Sequence, residues 1–138
     1  MDYINNIIKV FESDGNVNFV YVFGSQVKDK IRFGSDLDIA VFFTSEPGIM
    51  EVGTLCSELE KEACIKIDLV KLNSLYDSNP ELAYNILNEG SLIFKRDNEM
   101  VYEYKKNVIL RYLDFKPVRD KFHSLFLERL SKNKFAVK

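Results

Sequence analysis

Histidine is nearly missing from this chain: His123 stands alone among 138 residues. A histidine-based metal site and a Ser-His catalytic pair are thereby excluded, and acid–base chemistry falls to carboxylates. Cysteine is almost as scarce. Cys56 and Cys64 lie eight residues apart around a predicted helix, with no Cys-x-x-Cys spacing and no histidine nearby, so they read as small core residues or free thiols. No apolar run approaches the ~18 residues that a bilayer span needs. Met1-Asp2-Tyr3 lacks the positive start of a signal peptide. A cytoplasmic protein without membrane attachment is the expectation.

What is plentiful is apolar side chain, 46% of the residues, enough for one respectable core. A single domain over 1–138 is expected. Charge is unevenly spread. Residues 1–104 carry 9 Lys and Arg against 18 Asp and Glu, a balance of −9, whereas residues 105–138 carry 10 against 3, a balance of +7. The basic end suits nucleic acid or an acidic protein partner, and charge alone does not choose between them.

The most informative stretch is Gly24-Ser25 followed, after ten residues, by Asp36-Leu37-Asp38 at the head of an apolar run. Phe19-Val20-Tyr21-Val22-Phe23 reads as a buried strand leading into that Gly-Ser turn. A glycine there lets backbone approach an anion, and the serine hydroxyl and nearby N–H groups can donate to phosphate oxygens. Asp36 and Asp38 share one strand face, about 7 Å apart along the backbone. Two such carboxylates can converge on one divalent cation or on two neighbouring ions. Either part alone is weak, since Gly-Ser turns are common and acidic residues often begin strands for solubility. Together, on a strand apolar on both faces through Phe43, they favour a functional site, because the two charges repel unless a cation compensates.

Asp68 is a third candidate, placed between Ile67 and Leu69 in the predicted strand 65–70. If that strand lies beside 36–43, Asp68 completes a triad with Asp36 and Asp38; the alternative is a solvent-facing residue on an exposed sheet face. Three clustered carboxylates suit two Mg²⁺ ions and nucleotidyl transfer from a triphosphate, with Asp68 nearest the attacking hydroxyl as general base.

Helical spacing of Ile4, Ile7, Ile8 and Phe11 predicts a first helix, stopping near Asp14-Gly15-Asn16. A strand follows at about 17–23, then a short helical or looped stretch through Ile31. A helix carrying Val52, Leu55, Cys56 and Leu59 follows Pro47-Gly48. Pro80 heads another, closed by Glu89-Gly90, and Leu92-Ile93-Phe94 is a short final strand. Helix resumes from about Asn98, is interrupted at Pro117, and gives way to a loose polar tail from Ser131. The fold class is α+β (α/β-like): a single mixed sheet with helices packed on it, mainly on one face, plus C-terminal helices. Some aromatic and apolar surface of those helices is a candidate for a partner, against core packing.

GSQVKDKIRFGSDLDIAVFF resembles the G-S-x10-D-x-D signature of the polymerase-β-like nucleotidyltransferase superfamily, and more narrowly its minimal nucleotidyltransferases. Gly24, Ser25, Asp36 and Asp38 match its defining positions, and Asp68 in I-K-I-D-L-V matches its third acid. Residues 86–94 resemble the family's helix-E-G-strand ending, so the likeness covers about 3–97, with a helical extension over 98–131. The resemblance implies Mg²⁺, with two ions, and ATP as substrate. Asp36, Asp38 and Asp68 are the implied metal ligands and catalytic residues, and Gly24, Ser25 and Arg32 the implied nucleotide contacts. Members are often antitoxins that attach AMP to a tyrosine hydroxyl of a HEPN-type toxin, so such a toxin is the expected partner, with homo- or hetero-oligomers allowed. One difference stands out: where related chains often carry G-S-R-x-x-G, this one has Gln26 and Asp29. Alternatives are a non-catalytic neutraliser acting through the C-terminal helices and an aminoglycoside-type small-molecule transferase. Polymerisation on nucleic acid is disfavoured, because no added basic domain grips a template.

Overall fold

The computed structural model describes residues 2–24 and 37–137. Helix α1 (Asp2–Ser13) buries Ile7, Val10 and Phe11, one stripe of its surface. The Arg96 guanidinium holds its far end: Nη2 donates to the carbonyls of Phe11, Glu12 and Asp14 at 2.8, 2.9 and 3.0 Å, and Nε to that of Val17 at 2.8 Å. The first three lie at or just past the C-terminus of α1, where a cation is favoured.

Strands β1 (Val17–Phe23), β2 (Leu37–Phe43), β3 (Ile67–Lys71) and β4 (Ser91–Lys95) form a sheet in the order β3-β2-β1-β4. β1 pairs antiparallel with β2 and β4, and β2 pairs parallel with β3, so the sheet is mixed as expected. Helices α2 (Ile49–Ala63), α3 (Leu75–Ser78) and α4 (Pro80–Glu89) fall between the strands; α5 (Asn98–Asp114) and α6 (Lys116–Val137) follow them.

The helices cover both faces of the sheet rather than mainly one. Val20, Val22, Leu37, Ile39, Val41 and Phe43 meet α1 and α2 in one core. Phe19, Tyr21 and Ala40 meet Ala83 and Ile86 of α4 and Val101, Tyr104 and Val108 of α5 in the other. The cause is legible in β1 and β2, whose side chains are apolar on both sides of the pleat and need two apolar layers. Phe19 stacks on Phe42 at 4.9 Å, Tyr104 meets the Phe19 ring edge-on at 5.6 Å, and the Tyr104 hydroxyl donates to the Leu72 carbonyl at 2.6 Å.

Asn79 caps α4 by accepting from the Leu82 N–H at 3.1 Å, with Pro80 at the first helical position. Two details differ from the expected layout. The break between the last two helices falls at Phe115, two residues before Pro117, because proline is tolerated in a helix's first turn and α6 begins just ahead of it. The tail expected to be loose from Ser131 is helical through Val137, consistent with the lack of glycine or proline there. The stretch expected to be helical or looped through Ile31 lies outside the described residues.

Candidate active site

The candidate site forms where β1 ends and β2 and β3 begin. Phe23, the last residue of β1, pairs across the antiparallel ladder with Asp38, the second residue of β2. Asp38 is in turn the register partner of Asp68 across the parallel β2–β3 ladder. Parallel register puts paired side chains on the same face. That face is the one on which Ala40 and Val70 pack against the α4–α5 layer. Two strand backbones lie about 4.8 Å apart, so two carboxylates are set side by side. Asp38 is half-buried and Asp68 is exposed on the edge strand.

Gly24 follows at φ +88°, a backbone conformation that L side chains rarely adopt. A Cβ there would collide with the Asp38 carboxylate Oδ2 and lie 3.3 Å from its Cγ. Glycine therefore gives the Asp38 carboxylate its room. Gly90 plays a comparable part from the other side: a Cβ on it would collide with the Ile86 carbonyl and crowd Val22 O at 3.0 Å and Phe23 Cβ at 3.2 Å. The α4–β4 corner is thus pressed onto the end of β1 that leads into Gly24.

The start of β3 is pinned twice. The Leu37 N–H donates to the Lys66 carbonyl at 2.9 Å, and the Ile67 N–H donates to Glu60 Oε2 at 3.0 Å. Cys56 lies against the same corner, its thiol 3.6 Å from the Ile67 carbonyl. Burial, then the negative charges of Glu60 and Asp68, push that thiol above its ordinary pKa. The surroundings of Asp68 are anionic, which favours a cation.

Of the residues singled out in the sequence, the structure brings together Gly24, Asp38 and Asp68. Ser25, Arg32 and Asp36, with Gln26 and Asp29, lie outside the described residues. Among the described residues no cluster of three or more metal-ligating side chains occurs. The donor set at hand is hard carboxylate oxygen, which suits Mg²⁺, and the side-by-side register of Asp38 and Asp68 fits such an ion. Glu60 was not singled out by sequence, since a glutamate on a surface helix looks like a solvated charge. Gly90 was legible only as a helix stop.

The family model described as Polymerase beta, Nucleotidyltransferase matches residues 5–99. The chain belongs to that family. A chain of a toxin–antitoxin structure with AMP-PNP is 21% identical, with a TM-score of 0.71 and coverage of 90% of this chain and 98% of that one. In a structure of a tri-AMPylated HEPN toxin with MNT antitoxin from Shewanella oneidensis, the matching chain is 20% identical, with a TM-score of 0.66 and 91% and 96% covered. Spectinomycin adenyltransferase AAD(9) from Enterococcus faecialis, solved with ATP and spectinomycin, is 14% identical with a TM-score of 0.53, over 81% of this chain but 64% of that one. At these identities the likeness is one of fold. A sequence search of curated proteins found no match.

Proposed function

We propose that the chain is a Mg²⁺-dependent nucleotidyltransferase that moves AMP from ATP to a hydroxyl of a partner protein, acting as the antitoxin of a HEPN-type pair. The observation that carries this reading is the register pairing of Asp38 with Asp68 beside a glycine that cannot bear a side chain. Membership of the nucleotidyltransferase family and the fold of the toxin–antitoxin chains support it. Asp36, Asp38 and Asp68 are the residues that would hold Mg²⁺. Bound there, the ion neutralises triphosphate charge and makes the acceptor hydroxyl more acidic. Asp68, the exposed member, accepts the hydroxyl proton; the oxygen attacks the α-phosphorus and pyrophosphate leaves. In this reading Gly24 and Ser25 would offer backbone and hydroxyl donors to the phosphates, and Arg32 would add positive charge. Little covalent chemistry is asked of the protein, so positioning and electrostatics supply the acceleration.

A protein acceptor is favoured over an aminoglycoside-type one because the fold shared with the spectinomycin enzyme leaves about a third of that enzyme unmatched. Core residues 3–97 carry the chemistry in this reading, and the helical extension meets the acceptor. The test is incubation with α-labelled ATP, Mg²⁺ and the protein encoded beside this chain. Label passes to that protein; its failure to do so while the two are bound contradicts catalysis.

A second reading, stoichiometric masking by the C-terminal helices, is favoured by one observation: α6 exposes Phe122, Leu125 and Phe126. Replacing Asp36 and Asp38 by Ala separates the two. Protection of the host cell that survives the change with binding intact makes masking sufficient.

A further inference from the structure

In α6 the side chains from Arg119 to Arg129 are all exposed. Yet Phe122, Leu125 and Phe126, spaced i, i+3 and i+4 on one stripe, are 54%, 50% and 60% exposed. The preceding helix continues the pattern: Ile109, Leu110 and Leu113 of α5 are 48%, 52% and 46% exposed. Ile109 also lines a cavity of about 250 Å³ between α4 and α5, together with Tyr84, Leu87, Asn88 and Lys105. A stretch of helix with no buried side chain from Arg119 to Arg129 draws little stability from its own chain, and so large an apolar display marks a contact surface.

What covers it is constrained by charge. The segment 105–138 carries +7, so α6 packed on α6 of a second copy would set like charge against like. Nucleic acid would satisfy the charge but not the leucines, which cannot stack on bases as aromatic rings do. An apolar strip spaced i, i+3, i+4 is the pattern that helix-on-helix recognition uses. We infer that α5 and α6 form a docking arm for an α-helical protein surface whose apolar strip is flanked by acidic residues, with one partner side chain entering the Tyr84–Ile109 cavity. The inference rests on the partner-protein half of the function proposed above and assigns its contact surface.

The probe is the protein encoded beside this chain, the HEPN-type toxin that the proposed function expects there, titrated calorimetrically into the full-length wild type and into a variant carrying Phe122→Ser, Leu125→Ser and Phe126→Ser. All three positions are exposed, so the fold is expected to persist, checked by far-ultraviolet circular dichroism of the full-length variant and by unchanged ATP affinity. The variant is expected to bind about a hundredfold more weakly. Wild-type affinity is expected to fall with added salt, and Lys105→Glu with Lys121→Glu is expected to weaken it further. Equal affinity of variant and wild type overturns the docking arm. So does dimerisation of the chain through the same three residues, or an RNA oligomer that competes for them. Label transfer measured on the same samples separates the two ideas: transfer with arm-independent binding sinks the arm alone, and arm-dependent binding without transfer sinks catalysis alone. No binding by the wild type sinks the arm and the partner together.

Discussion

Asp38 on β2 and Asp68 on β3 are register partners across a parallel strand pair, thirty positions apart in sequence and adjacent on one sheet face. Two like charges side by side repel, and a cation between them offsets that cost. Asp68→Asn keeps shape and removes charge. Transfer of labelled AMP is expected to fall on the order of 10²-fold or more. Because Asp68 is exposed on an edge strand, stability is expected to change by less than about 0.5 kcal/mol. A variant that transfers label at the wild-type rate removes Asp68 from the site.

Gly24 tests the space beside Asp38. Gly24→Ala must hold an L residue at φ +88° and displace the Asp38 carboxylate. The expected cost is about 1–2 kcal/mol in denaturant unfolding, with a marked loss of ATP affinity. Gly15, around which nothing lies within 4 Å of an added Cβ, is the control. Gly15→Ala is expected to leave both measurements near wild type, and equal behaviour of the two variants contradicts the steric account.

Arg96 ties β4 to the end of α1 through four backbone carbonyls. Arg96→Ala is expected to lower stability by about 1–2 kcal/mol, since water replaces part of what is lost at this exposed position. Arg96→Lys restores the charge without the planar fork and is expected to recover only part. Full recovery by lysine would assign the effect to charge alone.

Alkaline stability follows from Tyr104. Burial, then Tyr76 and Asp77, raise its phenol well above the ordinary value of 10.0, and burial raises Tyr21 in the same direction. The folded state therefore holds protons that the unfolded chain releases above pH 10, so stability is intact below that point and declines as pH rises beyond it. Tyr104→Phe leaves the Leu72 carbonyl without its 2.6 Å donor. About 1–2 kcal/mol should be lost at neutral pH, with a shallower decline in alkali. Denaturant titrations at pH 7 and above pH 10 read both effects.

Much of this layout is written locally in the chain. The stripe Ile7–Phe11, the double-sided apolar strands and the Pro80 start of α4 each follow from short-range pattern, and the structure has all three. The short helix α3 was not anticipated, because Leu75–Ser78 is too brief to show a period. Two helical layers rather than one follow from the strands' apolar character but not from any single helix. The Asp38–Asp68 pairing is non-local: the sequence supplied the strands and the acids, whereas register depends on the Leu37–Lys66 and Glu60–Ile67 hydrogen bonds across the corner. Exposure of α6 was also beyond sequence, since Phe122 and Phe126 look the same in a core helix as on a bare one.

The most direct measurement is a crystal structure of this chain grown with a non-hydrolysable ATP analogue and Mn²⁺, using the anomalous signal to locate the ion. The account predicts a peak within ligand distance of both Asp38 and Asp68, with the triphosphate over Gly24. A nucleotide bound elsewhere, or a peak that touches neither carboxylate, contradicts it.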